Sequence, residues 1–154
     1  MKTRKIYLAS SWRNEQQPQA VKMLRGAGYE VYDFRHPKPG DDGFSWGDIA
    51  AEWLGWTPEE YIEGLKHPIA QAGFASDKAA LDWCDTCVLL LPCGRSAHLE
   101  AGYAIGAGKQ TLIVCSPVKF EPELMYLLAA KTVAGIDDML PALKKMEGEE
   151  WPNN

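Results

Sequence analysis

Thr86-Cys87-Val88-Leu89-Leu90-Leu91 is followed by Pro92-Cys93-Gly94-Arg95-Ser96, then by Ala97-His98-Leu99-Glu100-Ala101-Gly102-Tyr103-Ala104-Ile105-Gly106-Ala107, and after a short gap by Thr111-Leu112-Ile113-Val114-Cys115. The two outer runs are apolar without alternation, as strands covered on both faces are. The middle run reads as a helix entered through a Pro/Gly turn, with Ser96 as its N-cap. Strand, turn, helix and strand make a βαβ unit. Parallel strands joined in this way belong to a sheet with helices on both faces.

Outward from this unit the alternation continues. Lys5-Ile6-Tyr7-Leu8-Ala9 reads as a first strand, and Ala20, Met23, Leu24 and Ala27 mark a helix over Asn14–Ala27 that Gly28 stops. Tyr29–Asp33 alternates as a second strand. Phe34–Trp56, rich in Gly, Pro, Asp and Trp, is a long loop, and long loops in compact proteins serve as lids or binding segments. Its Trp46, Trp53 and Trp56 are read chiefly as partly buried aromatics, with stacking on a ligand as the alternative. Thr57-Pro58-Glu59-Glu60 is a capping box that starts a helix running to about Lys66. Pro68 breaks it, and a further helix covers Ile69–Trp83. Helices near Pro122–Ala130 and Ile136–Met146 follow the last strand, and residues 146–154 are expected to fray. The expectation is one α/β domain over residues 1–154 with a mostly parallel central sheet of about five strands.

The 154 residues carry 16 Lys+Arg against 21 Asp+Glu, a formal net charge of −5. That acidic balance argues against a nucleic-acid polymer or an anionic membrane as partner, since either needs a basic surface. No apolar run reaches the roughly 20 residues that span a bilayer. No signal peptide is read at the start, and a reduced cytoplasmic compartment is the expectation from the cysteines. Cys84, Cys87, Cys93 and Cys115 sit in or beside apolar runs. Cys84-Asp85-Thr86-Cys87 is formally C-x-x-C, but it leads into a strand and not a helix, so both thiols read as buried. A zinc site would lack a second ligand pair, and no metal or cofactor is called for.

In open parallel sheets, ligands bind beyond the carboxyl ends of the strands. Two strand exits then matter. The first, Ser10-Ser11-Trp12-Arg13-Asn14, offers hydroxyls, a helix start and an arginine, a set that binds an anion or sugar hydroxyls, or merely caps a helix. The second is Pro92–Glu100. Glu100 stands one residue past the capping position and among small residues, a setting open to close ligand approach. His98 reads as a surface or hydrogen-bonding residue and Asp85 as a turn residue. Asp77, from the helix before the central strand, can converge with Glu100 at the strand ends. Two carboxylates flanking a glycosidic carbon divide the labour, one attacking and one moving a proton.

Lys5-Ile6-Tyr7-Leu8-Ala9, Asp77, Cys84-Asp85 before an apolar strand, Gly94-Arg95-Ser96 and Leu99-Glu100-Ala101-Gly102-Tyr103-Ala104 together resemble the nucleoside 2-deoxyribosyltransferase family, which includes the related 2'-deoxynucleoside 5'-monophosphate N-glycosidases. The resemblance spans about Lys5 to Leu128. It implies a flavodoxin-like three-layer fold and a homo-oligomer whose sites a neighbouring subunit completes. It implies Glu100 as nucleophile at the anomeric carbon, and Asp77 as handler of the base's proton or as a sugar-positioning group. Tyr7 would orient the nucleophile and Trp12 would lie near the base. Met125 would reach into the adjacent subunit's site. Ser10, Ser11, Arg13, Gly94 and Ser96 would bind the substrate, and Ser11, Arg13 and Ser96 match the places that hold a 5'-phosphate in the glycosidases. Against a phosphate, a serine that those enzymes contribute across the interface is missing, and Phe120-Glu121-Pro122-Glu123 puts acid there instead. The expected substrate is therefore a small-molecule deoxynucleoside, with the monophosphate as alternative. A non-catalytic nucleotide-sensing module and a redox protein using Cys84 and Cys87 are readings from other classes. The first has no need of a nucleophile.

Overall fold

The computed structural model describes residues 3–149. Five parallel strands form one sheet in the order β2-β1-β3-β4-β5. They are β1 (Lys5–Ala9), β2 (Glu30–Tyr32), β3 (Thr86–Leu90), β4 (Gln110–Val114) and β5 (Lys131–Val133). This is the flavodoxin-like order, and its switch point falls between β1 and β3. The connecting helices are α1 (Gln17–Gly26), α2 (Pro58–Gly64), α3 (Pro68–Trp83), α4 (Arg95–Gly106) and α5 (Met139–Met146).

Period-two alternation sorts the core into two layers. Ile6, Leu8, Val88, Leu90, Leu112 and Val114 point to one face and pack against α1 and α5 through Leu24, Met139, Leu143 and Met146. Tyr7, Ala9, Cys87, Leu89 and Ile113 point to the other and meet α3 and α4 through Ala80, Leu81, Ala97, Ala101 and Ala104. Alanines on α4 let it lie close to the sheet. At the amino ends of the strands, Arg4 Nη1 donates to Thr86 Oγ1 at 2.6 Å and to Gln110 Oε1 at 2.7 Å. Asp85 accepts from the Lys5 backbone N–H at 3.1 Å, the turn role expected of it.

Several expected elements are placed differently. The α1 helix begins at Gln17 and not at Asn14, because the buried Asn14 side chain is turned to the Leu90 and Pro92 carbonyls, both at 3.3 Å. The helix expected near Pro122–Ala130 is a 3-10 turn over Leu124–Leu128, where no residue is buried and no sheet-facing stripe exists. Lys131–Val133, too short and too polar to stand out, is the fifth strand. A 3-10 turn occupies Ile136–Asp138, and α5 starts only at Met139. Ser96 is not the N-cap of α4. Gly94 holds that position, in extended backbone and with no side-chain cap, so the helix begins two residues before the expected start. The expected fraying covers residues 146–154, and those beyond 149 lie outside the described residues. Met146 itself ends α5 and is buried. No helix among the described residues is long and apolar enough to cross a membrane.

Candidate active site

At the carboxyl ends of β1 and β3 the two strand exits are stapled together. Ser10 Oγ donates to the Leu90 carbonyl at 2.9 Å, the same carbonyl that Asn14 reaches. Ser11 Oγ accepts from the Arg13 N–H at 3.1 Å, an ST-turn that leaves both side chains at the surface. Arg35, just after β2, clamps this exit by donating to the carbonyls of Ser11, Trp12 and Asn14 at 2.8–3.1 Å. Its own backbone N–H is held by Asp33, which also accepts from buried Gln17 at 2.7 Å. The expectation had no place for Arg35, because a charged residue in a loop gives no sequence signal of three backbone contacts.

Trp12 stands half out of the surface, its ring edge-on to Phe34 at 5.4 Å and under the Arg35 guanidinium. Gly43 closes its other side. With φ of +83°, a Cβ there would lie 2.6 Å from the Phe34 carbonyl oxygen and 2.7 Å from the Trp12 ring. Gly43→Ala is therefore expected to lower Tm by about 2–8 °C and to change the tryptophan emission, read by thermal denaturation and fluorescence. An unchanged Tm would mean that the loop seats Trp12 some other way.

The rest of the long loop is a packed segment. Phe44, Trp46, Trp56 and Tyr61 meet edge to face at 4.9–5.9 Å. Gly64 leaves room for Trp56, and Gly73 leaves room for Phe44 against α3. This matches the reading of Trp46 and Trp56 as partly buried aromatics, while Trp53 stands more exposed.

Glu100 and Asp77 reach the same place from two helices. On α4, Ala97, Ala101 and Ala104 form the buried stripe, and Glu100 stands three and four residues from its members, so its carboxyl is carried in beside the sheet. On α3, Asp77 stands one turn before the buried Ala80 and Leu81. Each carboxyl is half-buried. Burial, then the Asp77 charge, pushes Glu100 up to about 7, while Tyr7 pulls it back. Asp77 is raised as well, first by burial and then by Asp41 of the long loop, with the Tyr32 hydrogen bond opposing. Asp41 is thus an acid whose charge reaches Asp77 and that the residue pattern did not mark.

Two tyrosines complete the group. Tyr7 and Tyr32 are register partners on β1 and β2, which puts both rings on one sheet face, stacked at 5.2 Å. The Tyr32 hydroxyl donates to Asp77 Oδ1 at 2.8 Å and contacts Ser76 Oγ at 3.1 Å. Tyr7 is wholly buried, and its hydroxyl lies beside Glu100 without a hydrogen bond of good geometry to any described atom. Burial and the neighbouring Glu100 and Asp77 charges hold that phenol protonated, far above its ordinary range. A buried donor without a partner is rare. Here it is aimed at a carboxylate in the cleft.

Not every expected site residue joins this group. The Ser10 hydroxyl is committed to the backbone, Gly94 and Ser96 are exposed at the start of α4, and Met125 is exposed in the turn before β5. Met125 lines a separate cavity of about 720 Å³ on the other flank of α4, with His98, Gly102 and Tyr126. His98 is a hydrogen-bonding residue, as expected, its ring joining the Gly94 carbonyl and the Tyr126 hydroxyl, each at 2.8 Å. Cys84 and Cys87 are free and buried. Among the described residues, no cluster of three or more His, Cys, Asp or Glu is arranged to hold a metal.

No protein-family model matches the chain, and no curated protein matches it. Among solved structures it is similar to the CMP N-glycosidase BcmB of Clostridium botulinum, at 14% identity and a TM-score of 0.48, over 90% of this chain and 97% of that one. A likeness at this level says nothing of which residues do the chemistry.

Proposed function

We propose that this protein is an enzyme that cleaves or transfers at the N-glycosidic bond of a 2'-deoxynucleoside. The observation that carries the reading is the convergence of Glu100 and Asp77, from α4 and α3, around the unpartnered Tyr7 hydroxyl at the switch point of the sheet. In this reaction an ionised Glu100 oxygen attacks the anomeric carbon as the bond to the base nitrogen breaks. Asp77 delivers a proton to the departing base, and a deoxyribosyl ester of Glu100 remains. Water or a second base then attacks the same carbon, gives its proton to Asp77 and regenerates the Glu100 carboxylate. Tyr7 donates to Glu100 and turns the attacking oxygen toward the sugar. Trp12, half-exposed beside the β1 exit, offers its exposed edge to the base. In a homo-oligomer, Met125 would serve a neighbour's cleft, since it lies away from its own. A panel of deoxynucleosides incubated with the protein, with and without a second free base, tests the reading by chromatography. Exchanged nucleoside marks a transferase and free deoxyribose a hydrolase. Neither product from any member of the panel, nor from the monophosphates, would sink it.

A free nucleoside suits the cleft better than a 5'-monophosphate, because Glu100, Asp77 and Asp41 gather acid there and Arg35 is tied to three carbonyls. A specific observation keeps the monophosphate as second reading. The first turn of α4 has no side-chain cap, and Ser96 stands exposed on it, as Arg13 does at the β1 exit. A phosphate held by Arg13, Ser11 and Ser96 would take charge-assisted hydrogen bonds. For a free-nucleoside enzyme, Arg13→Ala is expected to change kcat/KM by less than about threefold. A wild-type preference for the monophosphate that this substitution cuts by about 10- to 100-fold would make the second reading correct.

A further inference from the structure

We infer that Tyr32 is a positioning residue for the proton carried by Asp77: its hydroxyl, 2.8 Å from Oδ1, occupies that oxygen and leaves Oδ2 as the one that carries and delivers the proton. The inference deepens the N-glycosidic reading and rests on it for the identity of the proton's acceptor.

The geometry constrains Tyr32 from three sides. Its register pairing with Tyr7 fixes which sheet face the ring occupies, and the stack at 5.2 Å with an interplanar angle of 22° fixes the ring's plane. Ser76, the residue before Asp77 on α3, contacts the hydroxyl at 3.1 Å, so with the Tyr32 proton on Asp77 the serine is the donor. The chain Ser76–Tyr32–Asp77 then has one direction, which makes Tyr32 a better donor than a lone phenol. Asp77 Oδ2 has no hydrogen bond among the described residues and is not one of the fully buried unpartnered atoms, so it keeps some exposure to solvent. A carboxylic acid whose Oδ1 accepts a hydrogen bond holds its proton on Oδ2. That is the proton a departing base nitrogen can take.

The groups facing Asp77 are Tyr32 from β2, Tyr7 from β1, Glu100 from α4 and Asp41 from the long loop. Lys78, beside it on α3, is paired with Asp82 at 2.6 Å. Tyr32 is the one neighbour that favours the ionised form, so it also makes Asp77 a stronger acid. Losing its hydroxyl must raise the carboxyl's titration midpoint, and with Asp77 acting as the acid, the basic limb of the rate profile moves to higher pH.

Tyr32→Phe keeps the ring and its stack on Tyr7. The carboxyl carbon of Asp77, labelled with 13C and assigned by its loss in Asp77→Asn, is titrated by NMR in both proteins. The expected result is a midpoint at least about half a pH unit higher in Tyr32→Phe. With it, kcat falls about 10- to 30-fold for a deoxynucleoside with a poor leaving group and less for an activated one, while KM stays within about threefold. Should Tyr32→Phe not fold, Ser76→Ala weakens the same chain from its other end and is expected to move the midpoint the same way by less. A packing role alone would lower Tm and leave the midpoint where it was, and that result in a folded variant overturns the inference. The titration needs no turnover. If the wild type converts no nucleoside, the N-glycosidic reading fails by itself, and an upward shift still places Tyr32 in control of the Asp77 proton.

Discussion

Glu100→Gln is expected to lower kcat by about 10³-fold or more while the protein stays folded, as loss of a nucleophile does elsewhere. Glutamine keeps the shape beside Ala97, Ala101 and Ala104 and deletes the oxyanion that the proposed reaction uses to attack. The substitution has a second signature that a mere surface charge would lack. Glu100 is pushed up to about 7 by burial and by Asp77. Between its ordinary value and about 7, the folded protein holds a proton that the unfolded chain has released. Stability from this group therefore falls as pH rises through that window. Removing the buried charge should stabilise the protein at pH 8 by about 1–2 kcal/mol and leave pH 5 almost unchanged. In the wild type, kcat/KM should fall on the acid side as the raised Glu100 carboxyl takes up its proton, because the proposed nucleophile must be ionised. A Gln variant that keeps more than about a tenth of wild-type activity would reduce Glu100 to a charge near a helix start.

Part of this site was open to a reading of the residues and part was not. The buried strands Thr86–Leu90 and Gln110–Val114 announced themselves by apolar runs, and the short β5 did not, since Lys131-Thr132-Val133 has neither length nor pattern. Glu100 among alanines on α4 was visible as a charged residue in a small-residue setting, and the helical wheel turns that into burial. Asp77 stood out as a carboxylate one helix away. Tyr32 was hidden, although Tyr29–Asp33 was read as a strand. Only the parallel register Tyr7↔Tyr32 puts its ring on the Tyr7 face, and register between distant strands has no local signal. Asp41 and Arg35 were hidden for a similar reason. Both lie in segments without periodicity, and their partners, Asp77 and the β1 exit, are far away in sequence. The N-cap of α4 misled in the other direction. Ser96 is the better capping residue by type, yet the chain enters the helix at Gly94 and leaves the first turn without a side-chain cap.

Asp77→Asn is expected to lower kcat by about 10²- to 10⁴-fold for an ordinary deoxynucleoside, the range that general acid catalysis supplies. The size of the loss depends on the leaving group, and that dependence identifies the role. A base that departs as a neutral molecule only after protonation needs the Asp77 proton in the transition state. A purine alkylated at N7 already carries its positive charge and leaves without one, so its deoxynucleoside should lose less than about tenfold. The pH profile gives an independent check. In the proposed reaction the wild-type Asp77 must be protonated and Glu100 ionised, and the charge of one acts on the other. Each carboxyl is raised above its ordinary value, so the profile should be a bell displaced toward neutral pH. Asparagine removes the proton that is lost on the basic side, and the basic limb should vanish while the acid limb of Glu100 stays. That limb should not move to lower pH, because the active wild-type form already holds Asp77 protonated and uncharged. Equal losses for both substrates, with the basic limb intact, would make Asp77 a sugar-positioning residue. The proton for the base would then come from water at the mouth of the cleft.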